Sequence, residues 1–277
     1  MREKNQWLTF HYDGAGRITS QRLATDSGLT PLTRETLQMS FDTNSYPQLY
    51  PSPASQILTQ HVYDRYPTTM PAALAFEEIP DMTCDLTGIE PETLLDTSTT
   101  GLPTYEKLTA ITDSSIGGEY HRAYYYDYKG REIQRVECDF EGNILRTTSR
   151  YDLIGNLLAQ RESYTHGGTT DVLDRAFKYD SRNRMTKETA QFNDGEQAVV
   201  AYTYDDLGQL IGKTYGTGAH AIHETMDYNM QGWLTEKSSE LFEMRLRYHD
   251  PESHLSDRAS YTGTVSYTHL TLPTKLE

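Results

Sequence analysis

The carboxylates that could do chemistry are four aspartates between residues 127 and 205: Asp127, Asp152, Asp180 and Asp205. A series of carboxylates can bind calcium, and two that converge on one reaction centre can act as general acid and base. Each of these aspartates, however, follows a tyrosine in a separate copy of one short motif. The pattern therefore indicates separate turns rather than one catalytic or calcium-binding centre.

Candidate metal ligands are His220, His223 and Glu224. A three-residue spacing would bring both histidines to one face of a helix, but this segment reads as a strand, where they point to opposite faces. The chain also has no HExxH, GxSxG or P-loop motif, the patterns that would indicate a zinc, nucleophile or phosphate site. We therefore predict no catalytic residue, no metal site and no cofactor, and expect that the protein is not an enzyme.

Aromatic residues offer a binding alternative. Tyr124, Tyr125, Tyr126 and Trp233 could line a carbohydrate-binding face, because sugar rings stack on aromatic rings. The interpretation that we favour is packing within the core or across neighbouring strands.

The composition favours β structure with much exposed surface. There are 21 Tyr against 7 Phe and 2 Trp, and the mean hydropathy is -0.69. Tyrosine suits a pleated, half-buried surface, where its ring packs on a cross-strand neighbour and its hydroxyl reaches water or backbone.

Charge and apolar patterning exclude two classes of partner. The net charge of -15 disfavours nucleic acid, whose phosphates need a basic surface. No apolar run approaches the ~18 residues of a membrane span. The two cysteines, Cys84 and Cys138, lack metal-ligand spacing, and the sequence leaves open whether they pair.

One motif recurs along the chain: Tyr-Asp, two variable residues, Gly, a polar residue and an aliphatic residue, as in Tyr151–Leu157 and Tyr204–Leu210. The step is 25 residues from Tyr126 to Tyr151 and 24 from Tyr204 to Tyr228, a period typical of repeat arrays. The copies place turn residues at Tyr12, Asp13 and Gly16; Tyr126, Asp127 and Gly130; Asp139 and Gly142; Tyr151, Asp152 and Gly155; Tyr179, Asp180 and Asn183; Tyr204, Asp205 and Gly208; and Tyr228, Asn229 and Gly232.

Each motif position has a physical reason. The Asp side chain accepts N–H groups of the residues that follow and so opens a turn. The Gly closes the turn because it adopts a positive φ without a Cβ penalty. Asn183 in place of Gly tolerates the same conformation, and Asn229 in place of Asp keeps the acceptor. Each copy is therefore a hairpin corner, and stacking of copies must supply the core.

These motifs resemble the YD repeats of bacterial Rhs proteins, which are related to insecticidal toxin-complex shells and to the extracellular barrels of teneurins. The resemblance covers about Tyr126–Tyr248 and Tyr12–Ile18, with Tyr63-Asp64 and Gly101–Leu108 as less regular parts. It implies an all-β fold in which stacked hairpins form part of a spiral β-shell around a hollow that often holds a C-terminal toxin. Nothing in the chain matches the self-cleaving core domain of that family.

Four regions follow from the distribution of motifs. Residues 1–30 carry an isolated corner, residues 31–110 form an irregular, proline-rich intervening segment, and residues 111–263 form the hairpin array. We predict short helical turns at Ala72–Phe76 and Glu90–Leu95 and a longer loop at Thr165–Asp171. Val265–Thr274 resembles a translated sequencing adapter, so residues 264–277 are expected to be an artefact and the chain a fragment.

The resemblance implies a function. We expect a non-catalytic structural segment of an Rhs-type shell, secreted or at the cell surface, whose partners are the rest of its own shell and an encapsulated C-terminal effector. The alternative is a surface adhesion module that recognises carbohydrate or a partner cell.

Overall fold

The computed structural model describes residues 6–25, 55–78, 95–111, 116–248, 265 and 267–271. Within these residues every element is a β-strand or a short 3-10 turn, so the predicted all-β array of hairpins is confirmed. The chain divides into two compact units: unit 1 contains residues 1–80, 93–149 and 162–171, and unit 2 contains residues 81–92, 150–161 and 172–277.

Unit 1 is an antiparallel sheet in which each strand pairs with the next strand along the chain. Its strands are β1 Gln6–Tyr12, β2 Ile18–Thr25, β3 Ser55–Asp64, β4 Thr99–Ile111, β5 Ile116–Tyr126, β6 Glu132–Cys138 and β7 Ile144–Tyr151. The last two residues of β7 belong to unit 2. A 3-10 turn at Ala72–Leu74 lies between β3 and β4.

Unit 2 follows the same plan, with antiparallel pairing in chain order from β9 onward. Its strands are β8 Leu157–His166, β9 Thr169–Tyr179, β10 Met185–Phe192, β11 Ala198–Tyr204, β12 Leu210–Tyr215, β13 Ile222–Tyr228, β14 Leu234–Ser239, β15 Glu243–Arg247 and β16 Tyr267–Thr271. Residues 162–166 of β8 and 169–171 of β9 belong to unit 1.

Two expectations about irregular segments need correction. Strand β3 and all but the last residue of β4 lie within residues 31–110, so the expectation of irregular structure is wrong for residues 55–64 and 99–110. The loop expected at Thr165–Asp171 is instead a tight turn at Gly167-Gly168, where both glycines have positive φ and the strands run up to the turn. Strand length, rather than loop length, therefore accounts for the longer step of 28 residues from Tyr151 to Tyr179.

Other predictions lie partly outside the described residues. A 3-10 turn does form within Ala72–Phe76, whereas residues 90–94 of the second helical prediction are outside, as is Cys84. In the tail, β16 pairs with β15. The region boundaries and the adapter origin of residues 264–277 stay predictions.

The hydrophobic core of unit 1 lies on one face of β4–β6. Tyr105 pairs with Ala123, and Ala123 pairs with Val136, which places these buried side chains on the same face. Residues 65–78, here called the strap, connect β3 toward β4 and cover this face. The strap's Leu74 is fully buried in the same cluster, so a segment outside the sheet completes the core.

Unit 2 buries polar and apolar side chains side by side. Ala176 pairs with Thr189 across β9 and β10, and Thr189 pairs with Val199 across β10 and β11; all three are buried. Beside them, Asp174 is only 2% exposed. It is held by Arg161, with Nε–Oδ1 at 2.6 Å and Nη2–Oδ2 at 2.7 Å, a bidentate geometry that satisfies both charges.

Candidate functional site

The Tyr-Asp corners form one repeated site, which Asp13 illustrates. Its N–H donates to the Arg17 carbonyl at 2.9 Å, and its carbonyl accepts the Gly16 N–H at 3.1 Å. Its Oδ1 accepts the N–H groups of Ala15 and Arg17, both at 2.9 Å. The Arg17 Nε donates to Oδ2 at 2.7 Å, so both carboxylate oxygens are engaged within the turn.

The same backbone frame occurs at all seven predicted corners. In each, the residue four places after the Asp or Asn donates its N–H to Oδ1. In each, the Gly or Asn position has a left-handed φ, including 60° at Asn183. Asn229 accepts through its amide oxygen, as the carboxylates do. At five of the corners the strand register also shifts beside the turn, as in a turn closed by a bulge.

Hydrogen bonding favours the ionised form of several corner aspartates. At Asp13 and Asp180 the backbone N–H of the residue four places later is the main cause of a lowered pKa. At Asp139 the Asn143 side chain is the main cause. At Asp152 burial works against ionisation, and the Asn156 hydrogen bonds outweigh it to lower the pKa. These carboxylates are therefore fixed as acceptors, which is the opposite of what a general acid needs.

Tyrosine hydroxyls connect consecutive corners of unit 2. Each donates to the backbone carbonyl of the aliphatic residue that ends the preceding corner, at 2.8–3.0 Å. The four pairs are Tyr179 to Leu157, Tyr204 to Met185, Tyr228 to Leu210 and Tyr248 to Leu234. We call this series the tyrosine ladder. In unit 1, Tyr126 makes the equivalent bond to the Pro103 carbonyl at 2.7 Å.

The residue after the corner glycine makes a second connection, to the tyrosine of the next corner. The Arg17 guanidinium lies 4.4 Å from the Tyr63 ring centroid, and that of Arg184 lies 4.7 Å from the Tyr204 centroid. At the last described corner Trp233 takes this place, with its ring 5.1 Å from that of Tyr248. Cation–π or aromatic stacking thus reinforces the hydroxyl bond from the opposite direction.

The antiparallel order decides on which side of the sheet each corner lies. Consecutive turns alternate between the two sides formed by the strand ends, here called edges, so the Asp13 and Asp127 corners share one edge of unit 1. The worn Asp139 corner closes β6 and β7 and lies at the opposite edge. In unit 2 the opposite edge carries turns of other kinds, such as residues 193–197 and 216–221.

Tyr63-Asp64 forms an interrupted corner at the edge of unit 1 that carries the Asp13 and Asp127 corners. Tyr63 pairs with Pro103, and Asp64 with Thr99. The Gly101 N–H donates to Asp64 Oδ1 at 2.6 Å, as a following residue does in the uninterrupted copies. The strap and the residues after it are therefore an insertion inside a corner that still closes.

The aromatic candidates do not form one binding face. Tyr125 is buried in the core, where it donates to the Leu74 carbonyl at 2.7 Å, and Tyr126 belongs to the corner contacts. Tyr124 points to the other side of the sheet because side chains alternate along β5. Packing, the interpretation that we favoured, describes Tyr125, Tyr126 and Trp233.

The metal candidates are dispersed. His220 lies in the 3-10 turn Gly218–His220 and His223 in β13, both exposed, while Glu224 is buried and paired with Lys237 at 2.8 Å. Among the described residues no group of three or more His, Cys, Asp or Glu side chains is placed to hold a metal ion. In that same part of the chain no helix is long and apolar enough to cross a membrane.

Sequence reasoning missed a polar cluster centred on Arg122, opposite the core face of unit 1. The Arg122 Nη2 donates to the Tyr120 hydroxyl at 2.8 Å, and the Tyr124 hydroxyl donates to Glu106 Oε2 at 3.0 Å. Glu137 Oε1 lies 3.3 Å from the Arg122 Nε. Burial raises the pKa of Tyr120 to about 12, so its hydroxyl keeps its proton. The alternation Tyr120, Arg122, Tyr124 was the available indication.

It also missed the side chains that hold the strap. Gln134 and Arg146, which face the core side of β6 and β7, make hydrogen bonds to strap backbone. The sequence places these residues on strands but says nothing of a segment that lies across them.

Comparison with known proteins gives a structural likeness alone. No protein-family model matches the chain, and no curated protein sequence matches it. One similar solved structure is titled "Crystal Structure of TcdB2-TccC3-Cdc42", with a TM-score of 0.43 and 14% sequence identity. The match covers 88% of this chain and 11% of that chain.

Proposed function

We propose that this chain is a non-catalytic structural segment of an Rhs-type repeat shell, secreted or at the cell surface, which encloses or displays a C-terminal effector. The observation that carries the proposal is the tyrosine ladder, with four successive bonds of one geometry. Each bond joins neighbouring copies only. A wall of any length can therefore be built by repetition of one local contact.

The corners support a scaffold rather than a reactive surface. At Asp13, Asp139 and Asp152 both carboxylate oxygens accept hydrogen bonds inside their own turn. The carboxylates, which are the most chemically reactive groups of the corners, are thus occupied by hydrogen bonds of the fold. The partners in this proposal are the rest of the repeat shell and the effector, with no nucleic acid, in keeping with the net charge of -15.

Limited proteolysis tests the proposal in the full-length protein that carries this segment. We compare wild type with the triple variant Tyr179→Phe, Tyr204→Phe, Tyr228→Phe, which removes three ladder hydroxyls. The effector region should be cut at least tenfold faster in the variant, because the wall opens. Tyr202→Phe is the matched control, since its hydroxyl bonds Glu188 on the sheet face. Equal cleavage of wild type and triple variant would count against enclosure.

A second candidate is the adhesion module, which the Arg122 cluster favours. It combines two tyrosines with two carboxylates on the face opposite the strap, a donor and acceptor set that suits sugar hydroxyls. A glycan array tests it with Tyr124→Ala and, as control, the exposed corner residue Tyr128→Ala. Glycan binding that is lost in Tyr124→Ala alone would favour adhesion over the shell.

A further inference from the structure

The strap is an insertion that the sheet does not need for its register. The corner around it closes through the Tyr63–Pro103 and Asp64–Thr99 pairs and through the Gly101 N–H bond to Asp64. The strands on both sides are therefore joined whether or not the strap is seated. Its position on the sheet must come from contacts of its own.

Those contacts are mainly side chains of the sheet that bind strap backbone. Gln134 does so in both directions: its Oε1 accepts the Glu77 N–H, and its Nε2 donates to the Glu77 carbonyl, each at 3.1 Å. The Arg146 Nη1 donates to the Ala75 carbonyl at 2.9 Å, and its Nη2 to that of Ala73 at 3.3 Å.

The Tyr125 hydroxyl adds a further backbone bond, to the Leu74 carbonyl at 2.7 Å. Backbone groups at four strap positions are thus recognised without reference to the side chains there. Such contacts supply affinity that is independent of sequence.

Side chains of the strap add selectivity: Glu77 forms an ion pair with Arg146, Tyr66 stacks on Tyr125, and two apolar anchors enter the core side. Leu74 is fully buried in the core cluster. Phe76 packs against the Tyr125 ring, with centroids 5.3 Å apart. Ala73, which precedes Leu74, and Ala75, which lies between the two anchors, are exposed. Leu74 is the last residue of the 3-10 turn, and Phe76 lies two residues beyond it, so a turn and the residues that follow it present the two anchors to the sheet.

We propose that this face of β5–β7, with Tyr125, Gln134, Val136 and Arg146, is a peptide-binding site that the strap occupies in cis. In trans it takes an apolar peptide with a leucine followed two residues later by an aromatic residue. The occupant seated in the structure supplies that pattern. The proposal does not depend on whether the chain belongs to a shell.

The strap must be weakened before a free peptide can bind. A tethered segment acts at an effective concentration on the order of millimolar, so it outcompetes micromolar peptide. The double variant Leu74→Ser, Phe76→Ser removes both anchors and leaves the sheet side chains intact. The probe is a fluorescein-labelled peptide of residues 70–78.

Fluorescence anisotropy should show saturable binding of this probe to the double variant. The same probe should bind wild type at least tenfold more weakly, because the strap competes there. A probe that carries Leu74→Asp should likewise bind the double variant at least tenfold more weakly. Adding Arg146→Met to the double variant should weaken binding at least tenfold. Arg135→Met is the matched control, because Arg135 follows Gln134 on β6 and points to the opposite face, and it should leave binding unchanged.

A folding readout covers the case in which the double variant is unstable. Excess probe should raise its Tm or restore its far-UV β signal, because a ligand of the folded state stabilises that state, and a scrambled peptide should not. A folded double variant that fails to bind the probe, or an unfolded one that the probe fails to restore, overturns the proposal. Binding that is insensitive to Arg146→Met and to Leu74→Asp in the probe also overturns it.

Discussion

Units 1 and 2 share their corner chemistry but differ in what they bury. In unit 1 the core is apolar and aromatic, and Leu74 from the strap completes it. In unit 2 the buried set includes Asp174, Thr189 and Glu224 beside apolar residues such as Leu158 and Met226. Asp174 is held there by Arg161, and Glu224 by Lys237.

The difference teaches that corners and core are separate requirements. A corner is complete within seven residues, because its hydrogen bonds connect the Asp to residues two to four places later. It covers no sheet face. Hairpins alone are marginal in water, so each unit needs something further: an inserted segment in unit 1, paired charges and cross-strand packing in unit 2.

Removal of the buried ion pair of unit 2 should cause the largest loss in the free energy of unfolding. Asp174→Ala takes the carboxylate away from a guanidinium that is only 16% exposed, and we expect a loss of about 3–5 kcal/mol. Urea unfolding measures it. Glu243→Ala, whose partner Arg245 is 51% exposed, should cost no more than about 1 kcal/mol. Equal losses would mean that the buried pair does not stabilise unit 2.

The apolar core of unit 1 comes next. Leu74→Ala should lower the free energy of unfolding by about 2–4 kcal/mol, toward the low end for a buried leucine because a surface segment can settle into part of the cavity. Leu207→Ala, at a site 86% exposed, should change it by no more than ~0.5 kcal/mol. If the two variants unfold at the same urea concentration, the strap is not part of the core.

The shared corners predict a smaller and purely local effect. Gly208 has φ of 90°, and the nearest atom to an added Cβ is 3.7 Å away. Gly208→Ala should therefore cost about 1–2 kcal/mol through backbone strain rather than through a clash. Gly14→Ala, with no atom within 4 Å and no left-handed φ, should be neutral or stabilising by about 0.4–1 kcal/mol. Thermal unfolding of both variants measures this difference and distinguishes backbone strain from steric crowding.

The smallest effect is the pH dependence of a single corner. The pKa of Asp180 is lowered in the folded state, mainly by the Arg184 backbone N–H. Its contribution is thus fully present above the unfolded value of about 3.9 and is lost as the pH falls through the folded pKa. Asp180→Asn should flatten the decline in urea midpoint below about pH 4.

The Asn229 corner provides the reciprocal test, because it already carries an amide. Asn229→Asp should add acid sensitivity where Asp180→Asn removes it. Identical pH curves for wild type and both variants would show that the corner hydrogen bonds do not favour the ionised carboxylate.

The corner positions could be predicted because their determinants are local. Asp13 and Gly16 sit three residues apart, and each residue type has one conformational reason to be there. The left-handed φ at Asn183 and the amide acceptor at Asn229 follow the same reasoning. The all-β fold followed from the tyrosine-rich composition and from the repeated hairpin corners.

Contacts between distant segments could not be predicted. Nothing in the sequence shows that Leu74 enters the face made by Ala123 and Val136, or that Gln134 binds the Glu77 backbone 57 residues away. The three consecutive tyrosines were also ambiguous. Alternation along β5 sends Tyr124 and Tyr125 to opposite faces, but only the packing of Leu74 shows that the face of Tyr125 is the core.

By itself, then, the sequence determined where the chain turns and that it forms hairpins, because a turn depends on the φ preferences and hydrogen bonds of a few adjacent residues. Only the tertiary structure decided what each face buries. Burial depends on register and on which remote segment arrives, as when the strap reaches β6. For the same reason, only the tertiary structure showed that the strap, part of an intervening segment in the sequence, occupies the proposed peptide-binding face of β5–β7.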